Sequence, residues 1–208
     1  MKIVELKKDK KHTVKVGFDN GSTANFDLDY WNSVCLRQGD DISESDLKLH
    51  ISESDYIRAK SRGMWFLDRA DYSEKTLFEK IVAGGISKAA AARAIARIKE
   101  LGLIDDKKYA LRMAEKMSEA NISKRDAYAK LYNKGIPKDI IKSALEQTSF
   151  DELSQIDAVL QKKYKTKLTN KNDIQKVYAA LIRKGFSYSA VRDALKKYTQ
   201  EIENYEEY

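Results

Sequence analysis

The sequence predicts a mostly helical protein: an elongated, curved array of three tandem three-helix repeats that follows a short N-terminal β-hairpin extension. Two observations predict this fold class. From about residue 43 onward, apolar residues recur every three or four positions, which is the spacing of one helix face. Gly85, Gly135 and Gly185 lie 50 residues apart, and the segments around them superimpose when they are shifted by that period. Such repeats stack on their neighbours and bury a continuous core.

The apolar positions match in all three segments. Within each segment they are spaced as on one helix face, so we expect each unit to bury the same set of positions. The matched triplets are Leu77, Ala127 and Val177; Phe78, Tyr128 and Tyr178; Ile81, Leu131 and Leu181; Val82, Tyr132 and Ile182; Ile86, Ile136 and Phe186; Ala91, Ile141 and Val191; Ala94, Ala144 and Ala194; and Ile95, Leu145 and Leu195.

The helix starts repeat as well. A glycine ends the middle helix of each unit in the left-handed conformation, and a serine cap or a first-turn proline then starts the last helix. A preceding helix at about residues 53–70, 107–118 and 152–164 completes each unit. The predicted capping positions are Ser73, Ser123 and Asp173 before the middle helices, and Ser87, Pro137 and Ser187 after the glycines.

The first fifty residues are the only part of the chain with β-strand character. Thr13 to Phe18 alternates apolar and polar residues, which predicts a strand with one buried side. Asn20-Gly21 follows and is predicted to supply the positive φ angles of a tight hairpin turn. Thr23 to Leu28 would form the returning strand, and Ile3 to Leu6 a third one.

A two-stranded ribbon is only marginally stable alone, so apolar residues after the strands are expected to hold it. Trp31, Leu36 and Ile42 are the predicted contacts. The single cysteine, Cys35, excludes an internal disulfide and is compatible with a reducing compartment; we expect it to be a buried small hydrophobe.

The repeat period and the strand pattern together suggest a division of the chain. The predicted segments are 1–50, the β-hairpin extension; 51–105, 106–150 and 151–200, the three-helix repeats; and 201–208, an acidic tail.

The sequence also predicts where the protein is found. No apolar run approaches the length of a membrane-spanning helix, and Met1 to Glu5 does not resemble a signal peptide, so a cytoplasmic protein is expected.

Positive charge is concentrated in the repeats. The net charge of the chain is +7, but residues 51–200 carry 31 basic and 19 acidic side chains, a net charge of +12. Such a concentration favours a polyanionic partner through long-range attraction and counterion release. The alternative, that these lysines only solvate the helix faces, stays open at this stage.

The sequence offers no arrangement typical of an enzyme. It has no phosphate-binding Gly-rich motif, no nucleophile elbow, and only His12 and His50 beside the single cysteine for a zinc site. The one carboxylate pair, Asp105-Asp106, precedes a predicted helix and fits a capping role. We therefore expect no catalysis, no cofactor and no metal.

Some basic residues follow the repeat and predict a binding stripe on the second and third units. Lys130 matches Lys80, Lys138 matches Lys88, and the first unit has Gly84 and Ala92 where the others have cations. Tyr128, Tyr132 and Tyr188 are expected nearby. The predicted DNA- or filament-binding residues are Lys124, Arg125, Lys130, Lys134, Lys138, Lys142, Arg183, Lys184, Arg192 and Lys196.

Three-helix units with a glycine turn also resemble helix-turn-helix DNA readers. The last helices, however, differ widely at the positions that would meet bases. Residues 88–93 are Lys-Ala-Ala-Ala-Ala-Arg, which offers few side-chain donors to base edges, whereas residues 188–193 are Tyr-Ser-Ala-Val-Arg-Asp. Contact with a phosphate backbone or a protein is therefore favoured over sequence-specific reading.

Several segments together resemble the RecX family of recombinase regulators. Residues 67–77, with an Arg and a Ser-Glu before a Leu-containing helix, are similar to that family's first-unit signature. Residues 101–106 with Tyr109-Ala110 resemble its second landmark. Residues 134–137 and 183–188 resemble its second-unit and third-unit turns, with Lys184 where the family often has Arg. The order and spacing of these segments over about residues 1–198 are more specific than any one of them.

The resemblance implies a cytoplasmic bacterial protein that binds the RecA filament on single-stranded DNA. Family members lie in the helical groove of that filament and typically inhibit its activities, so we expect a regulatory binding protein that acts as a monomer. Double-stranded DNA remains open as a further partner, and so does the direction of the effect on the filament. The alternative is a stand-alone DNA-binding protein without sequence specificity.

Overall fold

A computed structural model describes residues 1–9, 12–168 and 171–196. The chain is mostly helical with one small antiparallel sheet at its N-terminal end, which confirms the predicted mostly helical class with an N-terminal β extension. Its contacts divide it into two compact units, one formed by residues 1–105 and one that begins at residue 106. The predicted acidic tail, 201–208, lies outside the described residues. None of the helices in the described ranges combines the length and apolar character needed to cross a membrane.

The N-terminal unit contains the sheet and the first three-helix repeat. Its elements are β1, Ile3–Asp9; β2, Thr13–Phe18; β3, Thr23–Asp27; α1, Leu28–Ser33; α2, Glu44–Leu67; α3, Glu74–Val82; and α4, Lys88–Glu100. The strands pair antiparallel in the order β1-β2-β3, so the predicted third strand is confirmed and is longer than expected. The inward side of β2, formed by Val14, Val16 and Phe18, is buried as predicted.

The sheet is held by the apolar residues that follow it, as the sequence predicts. Trp31 packs on Phe26 of β3 with 4.9 Å between the ring centroids, and Ile42 is also buried there. The partly buried Leu36 packs against the same cluster. These contacts hold the apolar face of the sheet against α1 and the start of α2. Water is excluded from the cluster that forms between them.

The turn between β2 and β3 differs from the predicted one. Gly21 has a positive φ of 78°, but Asn20 is outside the left-handed region. The Oδ1 atom of Asn20 instead accepts hydrogen bonds from the Ser22 amide at 2.9 Å and the Ser22 hydroxyl at 2.6 Å. The asparagine therefore stabilises the turn through its side chain, and only the glycine supplies an unusual backbone angle.

The first helix of the first repeat begins nine residues before the predicted start. Ser43 caps it by accepting a hydrogen bond from the Asp46 amide at 3.0 Å, and Leu47 is buried in the sheet cluster. Farther along, Ser54 is fully buried and accepts a hydrogen bond from the Asp27 amide at 2.7 Å. The predicted boundary between residues 50 and 51 thus falls inside α2. The division into five segments stays a prediction.

The C-terminal unit contains the second and third repeats. Its elements are α5, Asp106–Glu119; α6, Lys124–Asn133; α7, Lys138–Gln147; α8, Glu152–Lys163; a 3₁₀ turn, Lys165–Lys167; α9, Lys171–Arg183; and α10, residues 188–196. Asp105 and Asp106 stand at the start of α5, in the position that a capping role requires. The first helices of both repeats match the predicted ranges within one residue.

The three repeats bury matching positions, as the 50-residue period predicts. Ile81, Leu131 and Leu181 are fully buried, one in each of three separate apolar clusters. The residues after the glycines are buried as well. One matched position departs from this pattern, because Tyr132 is 52% exposed while Val82 and Ile182 are partly buried. The shared core positions therefore define one common packing arrangement that is used three times.

The predicted caps are confirmed at most positions. Ser73, Ser123, Ser87 and Ser187 each accept a hydrogen bond from the amide three residues later, at 3.2 to 3.3 Å. Pro137 occupies the same position before α7 without a side-chain bond. The prediction for Asp173 was wrong: α9 begins at Lys171, so Asp173 lies inside its first turn and pairs with Lys176 at 2.9 Å.

The expectation of a buried cysteine was also wrong. Cys35 is exposed and has a φ of 57°. Helix α1 ends at Ser33, and the chain reverses through this left-handed residue, which directs the side chain away from the apolar cluster. The requirement of the turn outweighs the apolar preference of the thiol.

Replacing the turn glycines by alanine tests the packing of the third repeat. Gly85→Ala should cost about 1–2 kcal/mol of unfolding free energy, because φ is 79° there but nothing lies within 4 Å of the new Cβ. Gly185→Ala should cost about 1–3 kcal/mol more, because its Cβ would lie 2.7 Å from Ser123 Oγ. Urea unfolding followed by circular dichroism measures both. Equal losses would contradict a tight contact at Gly185.

Candidate binding interface

Nine of the ten predicted binding residues are exposed, and Lys184 is half-buried. They lie on α6, on α7, at the end of α9, on α10, and on the turns that follow α6 and α9. These exposures follow from the repeat, since the buried positions of each helix fix which side chains face solvent. Whether these residues bind a partner stays a prediction, but their grouping can be described.

The first group lines a shallow groove beside the start of α6. Lys124 and Arg125 are the first residues after the Ser123 cap, and Lys142 lies one turn into α7 next to the buried Ile141. The groove has a volume of about 340 Å³. Its lining residues are Lys124, Arg125, Tyr128, Lys142, Leu145 and Glu146. Three cations against one carboxylate give this groove a net positive charge.

Ser123 connects this groove to the glycine turn of the third repeat. Its hydroxyl donates a hydrogen bond to the Lys184 carbonyl at 2.6 Å while accepting one from the Asp126 amide. Gly185 is so close that a Cβ there would lie 3.2 Å from Arg125 Cβ. The backbone of the Arg183–Lys184 segment is therefore held beside Lys124 and Arg125, although the two segments are about 60 residues apart in sequence.

The second group lies on the other side of α6. Lys130 and Lys134 line a separate hollow of about 370 Å³ whose other walls are mostly apolar, including Met113 and Met117. Asp126 lies 3.4 Å from Lys130 and partly neutralises it. The predicted residues therefore do not form one continuous stripe on α6, because the helix turns these two lysines away from Lys124 and Arg125.

Among the remaining cations, Lys138 lies beside the exposed Tyr132, whereas Arg192 and Lys196 lie on α10. Arg192 and Lys196 are one turn apart and exposed on α10, with Asp193 3.9 Å from the Arg192 guanidinium. Lys138 Nζ lies 6.0 Å from the ring centroid of Tyr132. Tyr132 stacks on Tyr128 with 6.5 Å between centroids and 10° between planes. Flat rings beside ammonium groups suit a ligand that carries both aromatic and anionic groups.

The first repeat places a cation at the turn by another route. Gly84 matches Lys134 and Lys184 in sequence, so the sequence predicted a missing charge there. The guanidinium of Arg62, from α2, lies so near that a Cβ on Gly84 would be 2.5 Å from it. Its Nε donates a hydrogen bond to the Lys80 carbonyl at 3.4 Å. A repeat comparison cannot reveal this cation, because it comes from a different helix.

One group of potential metal ligands occurs among the described residues: His12, Asp27 and Asp29. His12 Nε2 lies 3.0 Å from an oxygen of Asp29, and this carboxylate raises the pKa of the imidazole above its ordinary value. Asp27 caps α1 by accepting hydrogen bonds from the Asp29 and Tyr30 amides. An ion pair and a helix cap account for this arrangement, so no metal role is assigned to it.

Three-helix units in tandem, each with a left-handed glycine turn, define a helical-repeat protein, and the exposed cations beside those turns suit a binding role. Comparison with known proteins gives the family. Residues 151–195 match the family model described as the third three-helix domain of RecX. The regulatory protein RecX of Clostridioides difficile strain 630 is 30% identical over 181 residues, which cover 83% of this chain and 81% of that protein. The chain belongs to the RecX family of regulatory proteins.

Further relatives agree with this assignment. The regulatory protein RecX of Caldanaerobacter subterraneus subsp. tengcongensis is 25% identical over 190 residues, covering 91% of this chain and 95% of that protein. A crystal structure of a regulatory protein RecX has a TM-score of 0.63 and 22% identity, covering 94% of this chain and 98% of that one. RecX from Lactobacillus salivarius has a TM-score of 0.57 at 21% identity, covering 73% and 98%. The two structures support the fold, and the family resemblance drawn from the sequence is confirmed.

Removing the Ser123 hydroxyl tests the link between the second and third repeats. Ser123→Ala should cost about 2 kcal/mol, of which about 1 kcal/mol is the lost cap and the rest the lost bond to the Lys184 carbonyl. Ser87→Ala removes a similar cap, 3.3 Å from the Ala90 amide against 3.2 Å at Ser123, and should cost about 1 kcal/mol. Urea unfolding gives both values. Amide hydrogen exchange at residues 184–186 should accelerate in Ser123→Ala, and unchanged exchange there would refute the link.

Proposed function

We propose that this protein docks in the groove of the RecA filament on single-stranded DNA and inhibits or modulates the recombinase. Membership of the RecX family supports this proposal. The observation that carries it is the cationic groove of Lys124, Arg125 and Lys142, whose border is the Lys184 turn. The backbone of the Arg183–Lys184 segment of the third repeat lies beside this groove of the second repeat, which supports a binding surface shared by the two repeats.

The cationic groove of this protein suits a phosphate backbone for electrostatic reasons. Lysine and arginine side chains that replace condensed counterions gain free energy from the release of those ions. Arg125 can contact a phosphate with two parallel hydrogen bonds, whereas the lysines act as point charges. The apolar wall formed by Tyr128 and Leu145 leaves room for a ring or an aliphatic surface of the filament. We infer that the groove contacts the filament where protein and DNA surfaces adjoin.

Repetition strengthens such a contact. Each linked unit that binds raises the effective concentration of the next unit at its own site, so weak contacts combine into tight binding. A filament offers the same site on successive protomers, which suits a protein that repeats its own turn every 50 residues.

The proposed action needs binding only. A protein that lies in the groove of the filament could block a conformational change of RecA or the entry of a second DNA molecule. Neither effect requires a reacting group. We propose that the protein acts as a monomer in the bacterial cytoplasm, where recombinase filaments form.

A stand-alone DNA-binding function without sequence specificity is the alternative. The exposed cations favour it, since they would bind phosphate with or without a recombinase. In that case any effect on RecA would arise from competition for DNA. A protein-only adaptor would differ from both, because its partner binding would depend little on salt.

Charge reversal in the C-terminal unit tests the interface. Lys142→Glu with Arg192→Glu should raise the concentration needed for half-inhibition of RecA ATP hydrolysis by about ten-fold, because two cations become repulsive. The salt dependence of DNA binding should also weaken by about two units of slope. The measurement is DNA-dependent ATP hydrolysis with increasing amounts of each variant.

The matched control reverses the same amount of charge elsewhere. Lys48→Glu with Lys116→Glu changes two exposed lysines outside the grooves that contain the predicted residues. Inhibition should stay close to that of the natural protein. Equal weakening by both pairs would mean that net charge, and not the positions of Lys142 and Arg192, determines binding.

Excess DNA separates filament docking from competition. Inhibition of RecA ATP hydrolysis should occur below one protein per RecA protomer and should persist when single-stranded DNA is added in excess. Competition for DNA predicts the opposite, since the added strands would bind the protein and restore hydrolysis. The measurement is a titration of this protein at several DNA concentrations with RecA constant.

A further inference from the structure

A cluster of aromatic rings and cations covers the C-terminal end of α2 in the N-terminal unit. It lies outside all of the predicted binding residues, which belong to the second and third repeats. We call it the α2 aromatic patch. Its members are Arg62, Trp65, Phe66, Arg69, Tyr72 and Lys80.

Trp65 is the most unusual member, because 52% of its surface is exposed. The other tryptophan, Trp31, is 6% exposed in the sheet cluster. Phe66 meets the indole edge-on at 5.0 Å and 78°, and Phe66 itself packs against the apolar core of the first repeat. Tyr72 lies 5.9 Å from Phe66 on the same core. The exposed ring therefore rests on a fixed base, which lowers the entropy cost of binding a partner.

Cations surround these rings. The Arg69 guanidinium lies 3.8 Å from the Trp65 ring centroid, and its Nη1 donates a hydrogen bond to the Trp65 carbonyl at 2.8 Å. Lys80 Nζ lies 5.1 Å from the centroids of both Phe66 and Tyr72. Arg62 lies 5.3 Å from Phe66 and, as described above, also reaches the Gly84 turn. Asp68, at 3.8 Å from Arg69, forms only a weak, exposed ion pair with it.

This combination narrows the class of partner. An acidic peptide could pair with the cations, but its carboxylates would leave the exposed indole without a stacking partner. A single nucleic-acid strand alternates flat aromatic bases with phosphates, which matches an exposed ring bordered by guanidinium groups. A duplex keeps its bases stacked and out of reach, so an unpaired strand fits better.

We propose that the α2 aromatic patch binds single-stranded nucleic acid, with an unpaired base stacked on the face of Trp65 opposite the Arg69 guanidinium and with Arg69 and Arg62 contacting the adjacent phosphates. This inference rests on the proposed function only in taking single-stranded DNA as a partner, and it does not require RecA. It assigns DNA contact to the first repeat, which the repeat comparison left without a contact role.

Tryptophan fluorescence tests the stacking directly, because the chain contains only Trp31 and Trp65. Titration with an oligothymidylate should quench the emission of the natural protein. The Trp65→Phe variant, in which Trp31 alone emits, should show little quenching. Quenching that persists in Trp65→Phe would overturn the proposal.

Affinity provides a second readout. In fluorescence anisotropy with a labelled oligothymidylate, Trp65→Ala should weaken binding about ten-fold, and Arg69→Ala should also weaken it. Leu49→Ala is the control, since Leu49 is on the same helix and is 65% exposed outside the patch. Circular dichroism should show that all three variants fold. Equal affinity of Trp65→Ala and Leu49→Ala would refute a role of the indole.

Other partners give different outcomes. Equal quenching by dextran sulfate, an anionic polymer without bases, would mean that charge alone is sensed. A blue shift with vesicles of anionic lipid but not with DNA would assign the patch to a membrane, and quenching by RecA alone would assign it to a protein. Each of these results overturns base stacking. The DNA-binding measurements contain no RecA. A negative result in them would therefore contradict the role of the α2 aromatic patch without bearing on the proposed inhibition of the filament.

Discussion

Left-handed glycine turns control how each three-helix repeat packs. Gly85, Gly135 and Gly185 have φ angles between 79° and 87°, which alanine and larger residues adopt only with strain. The turn reverses the chain so that the middle and last helices bury the same positions in every repeat. At Gly185 the missing side chain has a second consequence, since the turn lies directly against Ser123. Without that close approach, the third repeat could not pack in this way on the start of α6.

The same turns position the charges. The hydrogen bond from Ser123 to the Lys184 carbonyl holds the end of α9 beside the first residues of α6. Backbone segments that carry cations in two different repeats are thereby held side by side. In the first repeat the turn is uncharged, and Arg62 reaches it from α2. The repeats thus share a backbone arrangement while obtaining positive charge from different elements.

Much of the fold could be predicted because the underlying signals are local. The strand β2 follows from two-residue alternation, and the caps at Ser73, Ser87 and Ser123 follow from the need of a helix start for an acceptor. The predictions that failed did so for reasons that a residue pattern does not contain. Cys35 became exposed because the chain turns there, and α2 starts early because Leu47 finds a partner in the sheet. Asp173 is not at the capping position, because α9 begins two residues before it.

The sequence by itself determined the class of fold, the period of 50 residues and the family, since these depend on the order and spacing of residue types. Tertiary structure alone decided which cationic segments lie together. Lys124 and Lys184 are 60 residues apart, yet the hydrogen bond from Ser123 to the Lys184 carbonyl holds their backbone segments side by side. It also decided that Trp65 is exposed while Trp31 is buried. Both outcomes depend on contacts between distant segments, and spacing along the chain does not specify those contacts.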